Sequence, residues 1–258
     1  MLESLALAYA TSLGLTAARV AGFVVVSPVP GEQAPAQTRV GLVILLSAVV
    51  AFMIAEPAAA PPSIGSLVVH ACFELGLGLL IGLVFRFILA GADVLGGALS
   101  QASGLGAASL FNPALGAHDT PLGQVMSLFA MLLALGVGAH RVALSYLLES
   151  FRALPVGTMA PLPAAAPQIA ELASAAIAVG VRLAMPVIAV SMAIQLVLAL
   201  VARAAPSLQI FSVGFTFLIL SGFVTVSLSL RAIAVGLVDH LGSLGGELER
   251  LLLSLAST

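Results

Sequence analysis

Residues 102–123 read ASGLGAASLFNPALGAHDTPLG, and this stretch interrupts long apolar runs on both of its sides. Pro113 and Pro121 each lack a backbone donor and oppose continued helix. A non-helical segment between apolar helices must lie outside lipid, inside protein or against a water-filled cavity. Channels and transporters use the cavity, so the stretch is the first candidate for function. The alternative is an ordinary connection outside the membrane.

The centre of this stretch combines a bulky apolar tip with flexible flanks. Leu110 and Phe111 form the tip, and this favours burial against other protein. Gly104, Gly106 and Gly116 lie around it, where glycine permits backbone dihedrals that other residues avoid. We therefore predict these three glycines as hinges of a segment that moves.

The composition is that of a membrane protein. Of 258 residues, 61% are hydrophobic and 8% are charged, and the mean hydropathy is +1.20. A soluble domain averages about 25% charged residues. All nine basic residues are arginine, and the net charge of −2 contains no basic block, which argues against nucleic acid as a partner.

The apolar runs predict an all-α, polytopic membrane protein with about six long helices in one domain, residues 1–258. The predicted helices span residues 5–26, 40–55, 65–103, 121–154, 169–204 and 210–238. The third run would be about 57 Å long as a helix. Because a bilayer core is only about 30 Å thick, this helix must tilt, bend, split or project beyond the lipid.

The remaining segments have their own expectations. The first run lacks a basic leader, so we expect it to stay as a helix and not to be cleaved as a signal peptide. Residues 155–168 contain four prolines and are predicted to be an exposed linker. In the tail, regularly spaced leucines predict a short amphipathic helix: Leu248, Leu251, Leu252 and Leu255.

Charged residues inside the apolar runs are the second candidate site. Glu74, Arg86 and Asp93 lie in the third run, and Arg182 and Arg231 lie in later ones. Such charges are costly in lipid and face a bundle interior or water. They indicate either an ion or proton path or interhelical pairing that fixes assembly, and we favour the pairing. Nearby glycines at 78 and 82 have the GxxxG spacing that lets helices approach closely.

No chemistry-bearing motif stands out. The four histidines show no HxxxH or HExxH spacing, and no GxSxG or Walker A sequence occurs. Cys72 is the single cysteine, so no intrachain disulfide can form, and we expect it to be a small core residue. We expect no metal, no cofactor and no enzyme activity.

Three stretches together resemble the single-copy R component of the bacterial flagellar export gate, whose counterpart in virulence type III secretion is the T component. The stretches are residues 18–42, 73–121 and 181–215. Asn112-Pro113 stands where many members have Asp-Pro. The chain departs from the common pattern at Gln209 and at residues 216–218, which read TFL. The other residues that match the family pattern are Arg19, Pro28, Arg39, Glu74, Gly104, Pro186, Arg203, Pro206, Phe211 and Gly214.

The resemblance implies a role in transport. In that family one R chain joins several P and Q subunits in a helical, funnel-shaped assembly, and unfolded flagellar subunits pass through it. Further expected partners are the B-type switch protein and membrane lipid. The expected location is the bacterial inner membrane, within the flagellar basal body. Residues 1–154 are similar to a P subunit, and the hairpin of residues 169–238 is similar to a Q subunit.

The resemblance also assigns site residues. The loop of residues 104–121 would be a pore plug, with Leu110, Phe111, Asn112 and Pro113 at its centre. The turn between the last two long helices is a predicted partner contact, because it is short and rich in polar and aromatic groups. Its contact residues are Arg203, Pro206 and Phe211.

Three alternatives stay open from the sequence. The first is a virulence type III export-gate component. The second is a secondary transporter with a re-entrant loop, which would need a repeat and a polar midplane site on broken helices in both halves. The third is a membrane-assembly scaffold with no role in a pore.

Overall fold

The chain folds into helices. In the computed structural model, residues 2–29, 34–53, 63–104, 121–204 and 210–256 are described, excepting the side chains of residues 2–6, 121, 210–213 and 215. These residues contain no strand. The elements are α1 Leu2–Val26, α2 Ala36–Met53, α3 Ile64–Ala102, α4 Pro121–Val137, α5 Ala139–Ala153, a 3₁₀ helix Leu162–Ala165, α6 Ala166–Ala204, α7 Ile210–Gly242 and α8 Leu244–Ala256.

Long apolar helices dominate the described residues. Five helical stretches are long and apolar enough to cross a membrane, and the broken pair α4–α5 would make a sixth if it is one span. Inside lipid a helix satisfies its own backbone hydrogen bonds, which is why apolar runs of this length adopt it. The prediction of an all-α, polytopic membrane protein is therefore confirmed.

Two helices are much longer than a simple span. α3 and α6 each contain 39 residues. At about 1.5 Å per residue, each is about 58 Å long. α6 continues through Pro186, whose side chain is exposed on the helix surface. Proline supplies no backbone N–H and crowds the preceding turn, yet the helix continues on both sides of it.

The chain forms two compact units. The first contains Met1–Ile88, Gly138–Leu172 and Gly242–Thr258, and the second contains Leu89–Val137 and Ala173–Leu241. In the first unit α2 packs on α1, and α8 packs on α5 and on the 3₁₀ helix. The second unit has its own apolar core, which contains Ala92, Leu95, Leu99, Leu122, Met126, Ala130, Ala184, Val187, Val226, Ile233 and Leu237.

The expected single helix over residues 121–154 is wrong. Gly138 separates α4 from α5 and has a φ of 84°, in the left-handed region. That conformation ends one helix before the next begins, and glycine adopts it without the Cβ clash of other residues. Arg141 lies against this break, because a Cβ added to Gly138 would meet its guanidinium at 3.1 Å.

The linker expected to be exposed over residues 155–168 is exposed only in part. The segment contains the 3₁₀ helix, and both Ala160 and Ala165 are buried. Leu162 packs closely on α3, because a Cβ added to Gly76 would meet its side chain at 2.6 Å. Proline prevents a long helix here, but the short apolar side chains still pack into the first unit.

Two smaller expectations have opposite outcomes. The amphipathic tail helix is confirmed as α8, whose buried residues are Leu244, Leu248, Leu251, Leu252 and Leu255. Cys72 was expected in the core, and this is wrong, because its side chain is exposed on α3. An apolar neighbourhood in sequence does not tell which side of a helix is buried when every side is apolar.

Candidate functional site

A buried ion pair lies at the centre of the first unit. Arg19 of α1 and Glu74 of α3 both have side chains that are 0% exposed. Arg19 projects from the face of α1 that also buries Leu15 and Phe23, and this spacing of four residues places the three side chains on one side of the helix. Burying a charge is costly unless the charge is paired and hydrogen-bonded. The hydrogen bonds around this pair therefore determine whether its burial destabilises the fold.

Every part of the pair has a partner. The Arg19 Nε donates to Glu74 Oε2 at 2.6 Å. Nη1 donates to the carbonyl oxygen and to the Oγ of Ser150, at 2.9 and 3.2 Å. Nη2 donates to the carbonyl oxygen of Leu154 at 2.9 Å. On the other side, the backbone N–H of Gly157 donates to Glu74 Oε1 at 2.8 Å.

The arginine also closes the end of a helix. Ser150 lies in the last turn of α5 and Leu154 is its C-terminal cap. The last carbonyls of a helix lack intrahelical partners and carry partial negative charge, so a guanidinium there is stabilising. The guanidinium carbon lies 4.3 Å from the centroid of the Phe151 ring, which adds a cation–π contact. The pair thus joins α1, α3, the end of α5 and the following segment.

Glycines bring α1 and α3 close enough for this pair to form. A Cβ added to Gly78 would lie 1.8 Å from the carbonyl oxygen of Arg19, and one added to Gly82 would lie 2.8 Å from that of Phe23. On the facing helix, a Cβ added to Gly22 would lie 2.2 Å from the carbonyl oxygen of Leu75. The GxxxG spacing of Gly78 and Gly82 therefore acts as a close helix contact, as in other small-residue packings.

The three predicted intramembrane charges have different surroundings. Glu74 is buried in the pair described above. Arg86 and Asp93 are both exposed on α3, and Asp93 accepts a hydrogen bond from the Ser127 hydroxyl of α4. The pairing interpretation is supported for Glu74.

The pore-plug residues Leu110, Phe111, Asn112 and Pro113 lie outside the described residues. The same holds for the hinges Gly106 and Gly116 and for the contact residue Pro206.

Gly104 is described at the end of α3 with a φ of 77°, a conformation that favours glycine. Arg203 is exposed in the last turn of α6. Phe211 lies in the first turn of α7, and its side chain is outside the description. Plug, hinges and partner contact stay predictions.

The sequence interpretation missed the residues that complete the ion pair. Arg19 was identified only through the family resemblance. Ser150, Leu154 and Gly157 were not identified as hydrogen-bond partners of the pair. One signal was available: Arg19 is the single charged residue of the first apolar run and Glu74 is a charge in the third, and each requires a partner. Backbone hydrogen-bond partners cannot be recognised in the sequence, because every residue supplies a carbonyl oxygen and every residue except proline supplies an N–H.

Comparison with known proteins covers almost the whole chain. The family model of bacterial export proteins, family 1, matches residues 10–243. The chain is 28% identical over 231 residues to flagellar biosynthetic protein FliR of Caulobacter vibrioides, covering 88% of this chain and 91% of that protein. It is 29% identical over 244 residues to FliR of Bacillus subtilis, covering 92% of each. It is 27% identical over 231 residues to FliR of Escherichia coli, covering 87% of this chain and 86% of that protein.

Proposed function

The chain belongs to the bacterial export proteins, family 1, and we propose that it is the R component of the flagellar protein-export gate. The family match over residues 10–243 carries this proposal. Similarity along most of their length to proteins named flagellar biosynthetic protein FliR supports the flagellar system over the virulence one. The same similarity speaks against a secondary transporter.

In this role the chain forms part of the inner-membrane channel for unfolded flagellar subunits. Its proposed partners are the P and Q subunits and the B-type switch protein of the gate. The described residues support membership in a larger membrane assembly, because α6 and α7 bury little of their apolar surface in this chain. Leu196, Leu200, Phe217 and Leu228 are among the exposed side chains on these helices.

The channel role requires no covalent chemistry from this chain. Its requirements are a passage for the polypeptide and a seal against ions when the passage is empty. We assign the seal to residues 104–121, with Leu110, Phe111, Asn112 and Pro113 as the plug. We assign rigidity around the passage to the buried Arg19–Glu74 pair, which fixes α1 against α3 and α5.

Deletion and complementation in a flagellated host test the function. Cells without the gene are expected to retain flagellar subunits in the cytoplasm and to stop swimming, and a tagged copy should restore both secretion and swimming. The variant Arg250→Ala, at an exposed position, serves as a matched complementing control. A deletion strain that secretes flagellar subunits at the parental level overturns the proposal. Selective loss of virulence effectors would identify the virulence system instead.

A further inference from the structure

We propose that the α3 face around Asp93 is a docking site for a membrane helix of a neighbouring subunit, and that this helix carries an arginine or lysine opposite Asp93. The proposal rests on the proposed function, because it takes the neighbour to be another gate subunit. Asp93, Gly97 and Gln101 are each four residues apart on α3, and all three are exposed. This spacing places them on one side of the helix.

Asp93 is a carboxylate with little local compensation. Among the residues that the structure describes, its hydrogen-bond donor is the Ser127 hydroxyl. The same hydroxyl lies 3.1 Å from the carbonyl oxygen of Gly123, and a hydroxyl has a single proton to give. One neutral donor does not replace the hydration that a carboxylate loses on an apolar membrane helix.

The other carboxylate of the same helix shows what full compensation requires. Glu74 is buried, accepts from the Arg19 guanidinium on one oxygen and accepts from the Gly157 N–H on the other. Asp93 has a hydroxyl where Glu74 has a guanidinium. A basic side chain from a neighbouring subunit would give Asp93 the charged partner that Glu74 already has. Charge complementarity therefore indicates that the docked helix carries a basic residue.

The shape of this face suits a helix. A Cβ added to Gly97 would have no atom within 4 Å, although Gly96 beside it is packed against Gly123 of α4. The open glycine lies one turn beyond Asp93 and lets another backbone approach closely. A long basic side chain on that helix then reaches Asp93, while a small residue faces Gly97. This arrangement repeats the one between α1 and α3, where glycines bring a basic residue to Glu74.

Photo-cross-linking in the native membrane tests the site. A diazirine amino acid replaces Gln101 in the full chain, expressed in its own host. We expect it to capture one membrane chain through a peptide that contains arginine or lysine. Asp93→Asn keeps an acceptor for Ser127 but removes the charge, and should lower the yield about tenfold, the loss typical of a hydrogen bond to a charged group. Asp239→Asn, which neutralises another exposed carboxylate of the second unit, should leave the yield unchanged.

The outcomes separate this proposal from the function it rests on. An unchanged yield with Asp93→Asn, a captured peptide without a basic residue, or labelling of lipid or water alone overturns the docking site. If the captured chain is a gate subunit in such a case, the proposed function stands. If capture depends on Asp93 and on a basic residue but the chain is not a gate subunit, the docking site stands and the gate assignment fails. Restoration of the yield when Asp93→Arg is combined with an acidic replacement of the partner's basic residue confirms the pairing.

Discussion

At the scale of single residues, the two carboxylates of α3 show how burial and pairing must match. Glu74 is 0% exposed and fully hydrogen-bonded, because Arg19 reaches it from α1. Arg19 in turn donates to the carbonyl oxygen of Ser150, which also accepts the Leu154 N–H, and to the carbonyl oxygen of Leu154 at the end of α5. The two charges therefore hold α1, α3, the end of α5 and the following segment in one arrangement, and either charge buried without the other would be strongly destabilising.

Removing one member of the pair should be strongly destabilising. Arg19→Met leaves a buried carboxylate, and Glu74→Met leaves a buried guanidinium. We expect each to lower the free energy of unfolding by about 3–5 kcal/mol, the usual cost of an orphaned buried charge. The measurement is unfolding by sodium dodecyl sulfate of the assembled complex in mixed micelles, followed by far-ultraviolet circular dichroism.

The double variant and an exposed pair provide the controls for this prediction. Arg19→Met combined with Glu74→Met should cost less than the sum of the two single variants, because no charge is left unpaired. Arg250, which is 72% exposed, pairs with Glu247 on the surface of α8. Arg250→Ala should change stability by less than about 1 kcal/mol. If the double variant loses as much stability as the two single variants together, the two side chains do not stabilise each other and the prediction is wrong.

At the scale of elements, glycines determine how closely α1 and α3 approach. Gly78 has the tightest contact, since a Cβ there would lie 1.8 Å from a backbone oxygen of Arg19. Backbone atoms cannot rotate away as the end of a flexible side chain can. A methyl group at this position must therefore push the two helices apart, and this also strains the ion pair between them.

Gly78→Ala should destabilise the chain by about 1–3 kcal/mol, the range for overpacking a close contact. Gly14→Ala on α1 is the matched control, because a Cβ there has no atom within 4 Å. That control should be neutral or stabilising by up to about 1 kcal/mol, since alanine favours helix over glycine. The same detergent titration compares the two variants. Equal changes in stability at both positions would show that the close approach of α1 and α3 does not cause the effect of Gly78→Ala.

The sequence predicted most helices but missed two features of their arrangement. Apolar runs identified α1, α2, α3, α6 and α7 because long apolar segments fold as helices in lipid. The break at Gly138 was missed because a glycine between apolar residues is also common inside a membrane helix. The packing of residues 155–168 was missed because proline content reports helix breaking, and burial depends on what the segment meets.

The site was predictable only in part for a related reason. Glu74 was identified as a charge in need of a partner, yet its partner lies 55 residues away in sequence. The sequence shows that a charge in an apolar run needs a partner of opposite charge. Which of the several charged residues is that partner depends on the fold. Cys72 shows the same limit from the apolar side, because a helix that is hydrophobic all round does not reveal its buried face.

At the scale of the whole molecule, much of the apolar surface is uncovered. Phe52 on α2 is 93% exposed and Leu228 on α7 is 81% exposed. Lipid can cover such side chains, but it cannot solvate the exposed Arg182 and Arg231 on the long helices α6 and α7. Charged positions on apolar faces point to contact with other polypeptide or with water inside an assembly.

The chain is therefore expected not to behave as an autonomous bundle. Purified alone in mild detergent, it should aggregate or elute as a broad distribution of species. Co-expression with the proposed P and Q subunits should give one sharp peak. Size-exclusion chromatography with light scattering measures both. A monodisperse, thermally stable monomer obtained without partners would contradict this prediction.

Residues 104–121 have a proposed role that follows from the requirements of a passage across an energised membrane. Moving one elementary charge through 100 mV releases about 2.3 kcal/mol, so a permanently open passage dissipates energy. A seal needs bulky apolar groups that exclude water, and Leu110 and Phe111 supply them. The seal must also move aside for a substrate, which glycine hinges permit and a continuous helix would not.

Removing residues 107–115 should accordingly make the assembled gate leak small ions and slow growth when all subunits are co-expressed. Phe111→Ala should give a weaker leak, because Leu110 remains. Val125→Ala, at an exposed position on α4 outside the loop, is the control and should not leak. A dye that reports membrane potential in cells measures the effect, and co-purification of the subunits shows that the gate is assembled. Since a plug and a mere connector differ only in what their loss does to ion flow, an assembled shortened gate that holds the potential of the wild type would identify the loop as a connector.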